Sequence, residues 1–278
     1  MQVQSPAEQL FFTTVRMETE TDKERGAGTG FFFEYAQGES QYPFVVSNKH
    51  VVQAAVRGSL LFTVGDGEQP RIGERFTVTL EDFGSKWFGH PDPEVDVAVM
   101  PLAPIVNDVQ DKAGKRLYFR TIPSKLIPDK AALDALDAIE PVLFIGYPNA
   151  LYDEVNLTPI ARVGVTATPL ALDYGGKRAF LIDASVFPGS SGSPVFILNT
   201  GSYSPKGGGL VVGSRLLFLG VLAAVFVRLE EGKFDIVDIP TAQVPIVTVT
   251  HMIDLGLVYK AEVVGETIER FLSAQGAG

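Results

Sequence analysis

The chain contains no cysteine. That absence excludes disulfides, thiolate catalysis, Cys-ligated zinc and iron–sulfur clusters. Histidine is scarce: His50, His90 and His251 are the only ones in 278 residues, and they lie far apart. A His-rich metal centre is not expected, and any histidine chemistry has few candidates. Positive charge is in deficit, with 23 Lys and Arg against 33 Asp and Glu and a net charge of −10. Such a surface repels phosphate backbones and acidic lipids, so neither nucleic acid nor a membrane is expected as a partner. Long apolar runs are also missing. The longest, Leu216–Val227, has 12 residues, against the roughly 20 that a bilayer span requires. No basic segment followed by an apolar stretch opens the chain, which predicts a cytoplasmic protein, although a chain shorn of a leader would read the same way.

What is present is core material: 46% hydrophobic and 20% charged residues, with 28 Gly and 18 Pro punctuating short apolar runs. Leu10–Val15, Gly30–Tyr35, Phe44–Ser47, Ser59–Val64, Phe76–Leu80 and Val95–Leu102 read as strands. So do Val142–Ile145, Leu157–Ala167, Ala179–Ile182, Ser193–Leu198, Leu216–Phe226, Phe234–Val237 and Val244–Thr250. They are rich in Val, Phe, Ile and Thr, and turn residues separate them, a pattern of all-β architecture. Helical signals are few: a single turn at His50–Ala55, the spacing over Asp129–Ile139, and Ala261–Ala274 with its apolar face. Residues 122–140, with Pro123 and Pro128, divide two strand-rich halves, 8–121 and 141–257, and a helical tail follows at 258–275. Asn199–Gly209, rich in Gly, Ser and Pro, reads as an exposed excursion.

The most informative string is Phe187-Pro188-Gly189-Ser190-Ser191-Gly192-Ser193-Pro194, running into the strand Val195–Leu198. Gly189 lets the backbone bend so that its N–H and that of Ser191 point into one concavity. Gly192 leaves room beside Ser191 for a carbonyl. Paired N–H donors beside a hydroxyl suit an oxyanion hole next to a nucleophile, although an ordinary Gly/Ser turn could carry the same residues. A lipase-type G-x-S-x-G elbow is rejected, because a strand rather than a helix follows and serine holds the last glycine position.

A nucleophilic serine needs a base, and the base needs an orienting acid. His50 follows the apolar strand and polar turn of Phe44–Lys49. Asp96 opens the apolar run Asp96-Val97-Ala98-Val99, where an unpartnered carboxylate would be costly. Asp92 is the competing acid, but it sits in a Pro-flanked loop. His90 and His251 have no motif around them and read as ordinary partly buried histidines.

The order His50, Asp96, Ser191, with gaps of 46 and 95 residues, resembles the chymotrypsin/trypsin-like serine proteases. The closer likeness is to the bacterial HtrA/DegP-like branch of trypsin-like peptidases. Gly28-Thr29-Gly30-Phe31 is similar to that branch's G-S-G-F, and Ser47-Asn48-Lys49-His50-Val51-Val52 to its T-N-x-H-V-V. Asp96-Val97-Ala98-Val99 and Gly146-Tyr147-Pro148 match two further motifs. Asp183 through Pro194 resembles D-A-x-I-x-P-G-x-S-G-G-P.

The resemblance covers about residues 10–260 and implies two six-stranded antiparallel β-barrels, here followed by a C-terminal helix. His50 and Asp96 would come from the first barrel and Ser191 from the second. It implies a serine endopeptidase with catalytic His50, Asp96 and Ser191, an oxyanion hole of Gly189 and Ser191 N–H, and no cofactor or metal. The substrate would be a protein or peptide, and a regulatory protein partner or self-association is compatible with it. By rough alignment Ser185 lies at the base of the substrate pocket and Val225 on its wall. Without a carboxylate at the base, small or medium apolar P1 residues are expected; Asp183 is the nearby acid that could change this.

The chain departs from the family at several points. Ser193 replaces a glycine and raises the question of crowding at the nucleophile turn. Ala223 stands where a hydroxyl residue often supports the acid. Ser190 is not the aspartate of zymogen-type members, and no R-I-V-G-G activation site is present. No PDZ-like segment follows residue 275. These departures leave open two other readings: a non-catalytic binding or scaffold module, and an effector subunit whose specificity comes from a partner.

Overall fold

The computed structural model describes residues 2–233 and 246–276. The expected strand Phe234–Val237 and the start of Val244–Thr250 lie outside the described residues. The first sheet is built from β1 (Thr14–Glu20), β2 (Arg25–Gln37), β3 (Ser40–Ser47), β4 (Arg57–Asp66), β5 (Gln69–Glu81), β6 (Phe88–Gly89) and β7 (Ala98–Pro101). Its order is β5-β4-β1-β2-β3-β7-β6, and two short strands join it: β8 (Leu117–Tyr118) on β4 and β9 (Ile122–Pro123) on β2.

The second unit contains β10 (Pro141–Gly146), β11 (Ile160–Thr166), β12 (Ala179–Asp183), β13 (Pro194–Asn199), the hairpin β14 (Ser202–Tyr203) and β15 (Val211–Val212), then β16 (Arg215–Lys233) and β17 (Ile246–Lys260). Six of these strands close an antiparallel barrel in the order β10-β11-β12-β17-β16-β13. The fold is mostly β and chymotrypsin-like, with a C-terminal helix.

The alternation of side chains along a strand explains how two cores share one wall. On β2, Phe31 and Phe33 face the cluster between the sheet and the barrel, while Phe32 faces the interior of the first sheet. The ring of Phe218 lies 5.4 Å from that of Phe31 and 5.8 Å from those of Phe33 and Phe196. Val263, Val264 and Ile268 of the C-terminal helix complete this shared cluster. A third cluster, including Phe144, Phe180, Ile182 and Val195, fills the barrel.

Helices depart from expectation in instructive places. Leu10–Val15 is not one strand: helix α1 (Pro6–Leu10) precedes β1, nucleated by a capping box in which Ser5 Oγ accepts the Glu8 N–H and Glu8 accepts the Ser5 N–H. The expected turn at His50 is α2 (Lys49–Val52). Helix α3 (Ala103–Ala113) was not anticipated; it buries Ile105 and Val109, four residues apart, and stops at Gly114 in the left-handed conformation. The helix expected over Asp129–Ile139 shortens to α4 (Lys130–Asp134). Beyond it the Asp137 N–H donates to Glu140 Oε1 and the Glu140 N–H to Thr166 Oγ1, so local side chains take the bonds a helix would use. The tail forms α5 (Glu262–Gly276). No described helix is long and apolar enough to cross a membrane.

Candidate active site

His50 lies in α2, two residues past the cap Asn48, and Asp96 directly precedes the buried run into β7. Because β3 pairs with β7, the ends of these elements meet: Ser47 lies opposite Ala98. His50 Nδ1 is 2.5 Å from Asp96 Oδ2, and the His50 N–H donates to Asp96 Oδ1 at 3.0 Å. The buried Asn48 holds the other side, its Nδ2 donating to the Asp96 carbonyl at 2.6 Å. Both carboxylate oxygens of Asp96 are thus occupied without a hydroxyl at 223. Tyr259 of β17 braces the same loop through its hydroxyl, which donates to the Glu94 carbonyl at 2.7 Å. Burial raises the Tyr259 pKa, and the nearby Asp96 charge adds to the effect.

The competing acid points elsewhere: Asp92 Oδ1 accepts the Glu94 N–H of its own loop. His90 is buried, and its Nδ1 accepts the Asp92 N–H at 3.1 Å. Burial lowers its pKa, Glu266 opposes that shift, and the Arg178 cation reinforces it. His251 lies in β17 opposite Arg228, with its side chain outside the described residues.

Ser191 lies in the turn between β12 and β13. Phe187–Ser190 is closed by the Ser190 N–H donating to the Phe187 carbonyl at 3.0 Å, and Gly189 has φ +86°. Proline at the second position and a positive φ at the third define a type II turn. The Pro188 carbonyl accepts the Asn149 N–H at 2.5 Å. In a trans peptide C=O and N–H point in opposite directions, so the Gly189 N–H points away from Asn149. Neither the Gly189 nor the Ser191 N–H has a partner among the described residues. Gly192 has φ +86° as well, and a Cβ there would lie 1.9 Å from the Thr29 carbonyl.

Ser193 does not crowd this turn. It is fully buried, and its hydroxyl lies in the space that a Cβ on Gly146 would take. The Ser191 hydroxyl donates to the Ala223 carbonyl at 3.4 Å and makes no hydrogen bond to His50. Ser185 is exposed just past β12, and Val225 is half-buried on β16. They flank the same stretch of β17 from opposite sides: the Ala184 N–H donates to the Asp254 carbonyl, and Val225 pairs with Gly256. Asp183 ends β12, exposed. No group of three or more described His, Asp or Glu residues could hold a metal ion.

The sequence reading missed the residues that tie the two halves together. Thr29, Tyr147 and Asn149 stood inside quoted or adjoining motifs without a role. The signal at Thr29 was a threonine between glycines on an apolar strand, too common to single out.

Residues 28–202 match the family model of the trypsin-like peptidase domain. No curated protein matches the chain. Among solved structures, it is similar to an HtrA-type protease, AlgW, with a tripeptide, at 14% identity and a TM-score of 0.47; the match covers 95% of this chain but 61% of that one. It is likewise similar to the thermostable serine protease AL20 from an extremophilic microorganism, at 13% identity and 0.46, covering 94% and 96%. A serine endoprotease from Yersinia pestis matches at 14% and 0.47, covering 96% and 67%. The family assignment rests on the domain match and the fold on the strand order.

Proposed function

We propose that this chain, which belongs to the trypsin-like peptidase domain family, is a serine endopeptidase. Ser191 attacks the substrate carbonyl, His50 takes its proton and returns it to the leaving amine, and Asp96 holds the imidazole and stabilises its charged form. The N–H groups of Gly189 and Ser191 receive the oxyanion. The acid and base belong to an N-terminal unit, 8–121, and the nucleophile to a C-terminal unit, 141–257, joined by 122–140. No cofactor takes part.

One arrangement carries this reading: a histidine bonded to a carboxylate at 2.5 Å, together with a serine, Ser191, that directly follows a type II turn and stands beside two unpartnered N–H groups, its own and that of Gly189. The chemistry needs all three parts, and an ordinary turn needs none of them. The bond from Ser191 to the Ala223 carbonyl favours the second reading, a non-catalytic binding module; catalytic hydrogen bonds, however, often tighten only when substrate is present. Labelling by a fluorophosphonate probe decides between them. The wild-type chain is expected to label and Ser191→Ala to stay dark. A dark wild-type chain leaves the binding module.

For specificity, the pocket base carries Ser185 and no carboxylate, and Val225 narrows the wall. An unpaired Lys or Arg side chain is costly to bury, so cleavage after small or medium apolar residues such as Ala and Val is favoured. Profiling on a peptide library tests this, and dominant cleavage after Arg or Lys would overturn it.

A further inference from the structure

Thr29 sits on β2 in the first sheet, yet most of its polar contacts lie in the second unit. Its side chain is fully buried. Its N–H donates to the Ser191 carbonyl at 3.0 Å, and its hydroxyl donates to the Gly189 carbonyl at 3.0 Å. The same hydroxyl accepts the Tyr147 N–H at 3.1 Å. Accepting from an N–H leaves the hydroxyl's own proton free to point at Gly189. The hydroxyl fits there because residue 146 is glycine; a Cβ at that position would lie 2.7 Å from Thr29 Oγ1.

An oxyanion hole works only if its peptide planes are fixed before charge develops. Here the carbonyl of each successive plane is fixed in turn. Pro188 is held by the Asn149 N–H, Gly189 by the Thr29 hydroxyl, Ser190 by the Ser193 N–H and Ser191 by the Thr29 N–H. Thr29 supplies two of these four bonds, and through Tyr147 it ties down the loop that supplies a third.

We infer that the Thr29 hydroxyl is a positioning residue for the oxyanion hole, locking the first sheet to the nucleophile turn; this rests on the serine peptidase reading above. Without the hydroxyl, the Gly189 carbonyl and the loop at 147–149 lose a shared anchor. The Pro188–Gly189 peptide, still bonded to the Asn149 N–H, then shifts with that loop and carries its N–H out of line with the hole. Substrate contacts made by the pocket stay as they were.

The test measures phosphonylation by a fluorophosphonate probe over a range of probe concentrations, which separates the maximal rate from the apparent binding constant. Thr29→Val is nearly isosteric and lacks the hydroxyl. It is expected to lose about 10- to 100-fold in maximal rate, less than deleting a hole donor outright, with binding within about threefold. Thr29→Ser and Thr29→Ala both lose the methyl group and differ by the oxygen alone, so they serve even if the valine variant folds poorly. The serine variant should stay within about threefold of wild type and the alanine variant should fall with valine. Wild-type labelling rates in the valine and alanine variants overturn the inference, as does a serine variant as slow as alanine at equal Tm. A wild-type chain that does not label overturns the peptidase reading and this inference with it; a labelled wild type beside unaffected variants overturns this inference alone.

Discussion

The two halves of the proposed active site are built in opposite ways. On the first sheet, His50, Asp96 and Asn48 meet through side-chain bonds within one pair of strand ends, with His50 half exposed. On the barrel side the structure is backbone: a type II turn, two glycines at positive φ and carbonyls bonded to N–H groups or a hydroxyl. The side-chain half should tolerate neighbouring changes, because its geometry is local. The backbone half depends on residues from 29, 146 and 149, far away in sequence. Precision on that side comes from bonds that cross between the units.

The largest effect should come from breaking the chemistry itself. Ser191→Ala and His50→Ala are each expected to lower kcat by about 10⁴-fold or more, and the double variant no further, because such residues act as one unit. Tm should hold in both, since neither side chain is core. Near-wild-type turnover on a peptide pool in either variant would remove the assignment. Breaking the backbone half should cost activity and stability together. Gly192→Ala adds a Cβ 1.9 Å from the Thr29 carbonyl at a φ of +86°. Labelling should fall by at least about 100-fold, and stability by about 2 kcal/mol or more. Gly201, at φ +85° with nothing within 4 Å of its Cβ position, is the control: alanine there carries only backbone strain of about 1 kcal/mol. If the two alanine variants behave alike, packing around Gly192 is not what holds the turn.

The same contrast explains what was legible in the sequence. His50, Asp96 and Ser191 could be picked out as candidates because each lies in a short motif beside an apolar run: His50 after one, Asp96 opening one and Ser191 in the Gly/Ser turn before one. The all-β character was legible from short apolar runs such as Ala179–Ile182 and Ser193–Leu198, and the six-stranded barrel only from the family resemblance. Thr29 was not, because its partners lie 118 and 160 residues away and no local pattern encodes such a bond. Helix α3 was encoded by Pro104, an apolar pair at 105 and 109, and Gly114, but the strand leading into it dominated the reading. The shortened α4 shows the reverse: Asp137, Glu140 and Thr166 divert the bonds that apolar spacing alone would have assigned to a helix.

The smallest expected effect sharpens the side-chain half through pH. His90 lies in the loop that leads to Asp96, and its Nδ1 accepts the Asp92 N–H, which puts the ring proton on Nε2. Nε2 faces Glu266 Oε1 at 3.5 Å and Arg178 Nη2 at 3.4 Å, while Lys49 Nζ donates to the His90 carbonyl. Burial holds the His90 pKa below its ordinary value of 6.5 in the folded chain. The unfolded chain therefore takes up the proton first as pH falls, and stability rises with pH wherever the unfolded state binds more protons. The contribution is intact above pH 6.5 and is lost as pH drops from there through the folded pKa. Protonating Nδ1 also sets it against the Asp92 N–H, so the loop before Asp96 should loosen first. Thermal unfolding of the wild-type chain and His90→Asn, which keeps an acceptor oxygen near Nδ1, reads this directly. The Tm of the wild type should fall more steeply than that of the variant below pH 6.5, with the two curves parallel above it. Parallel curves throughout would mean that His90 does not couple proton uptake to the stability of this loop.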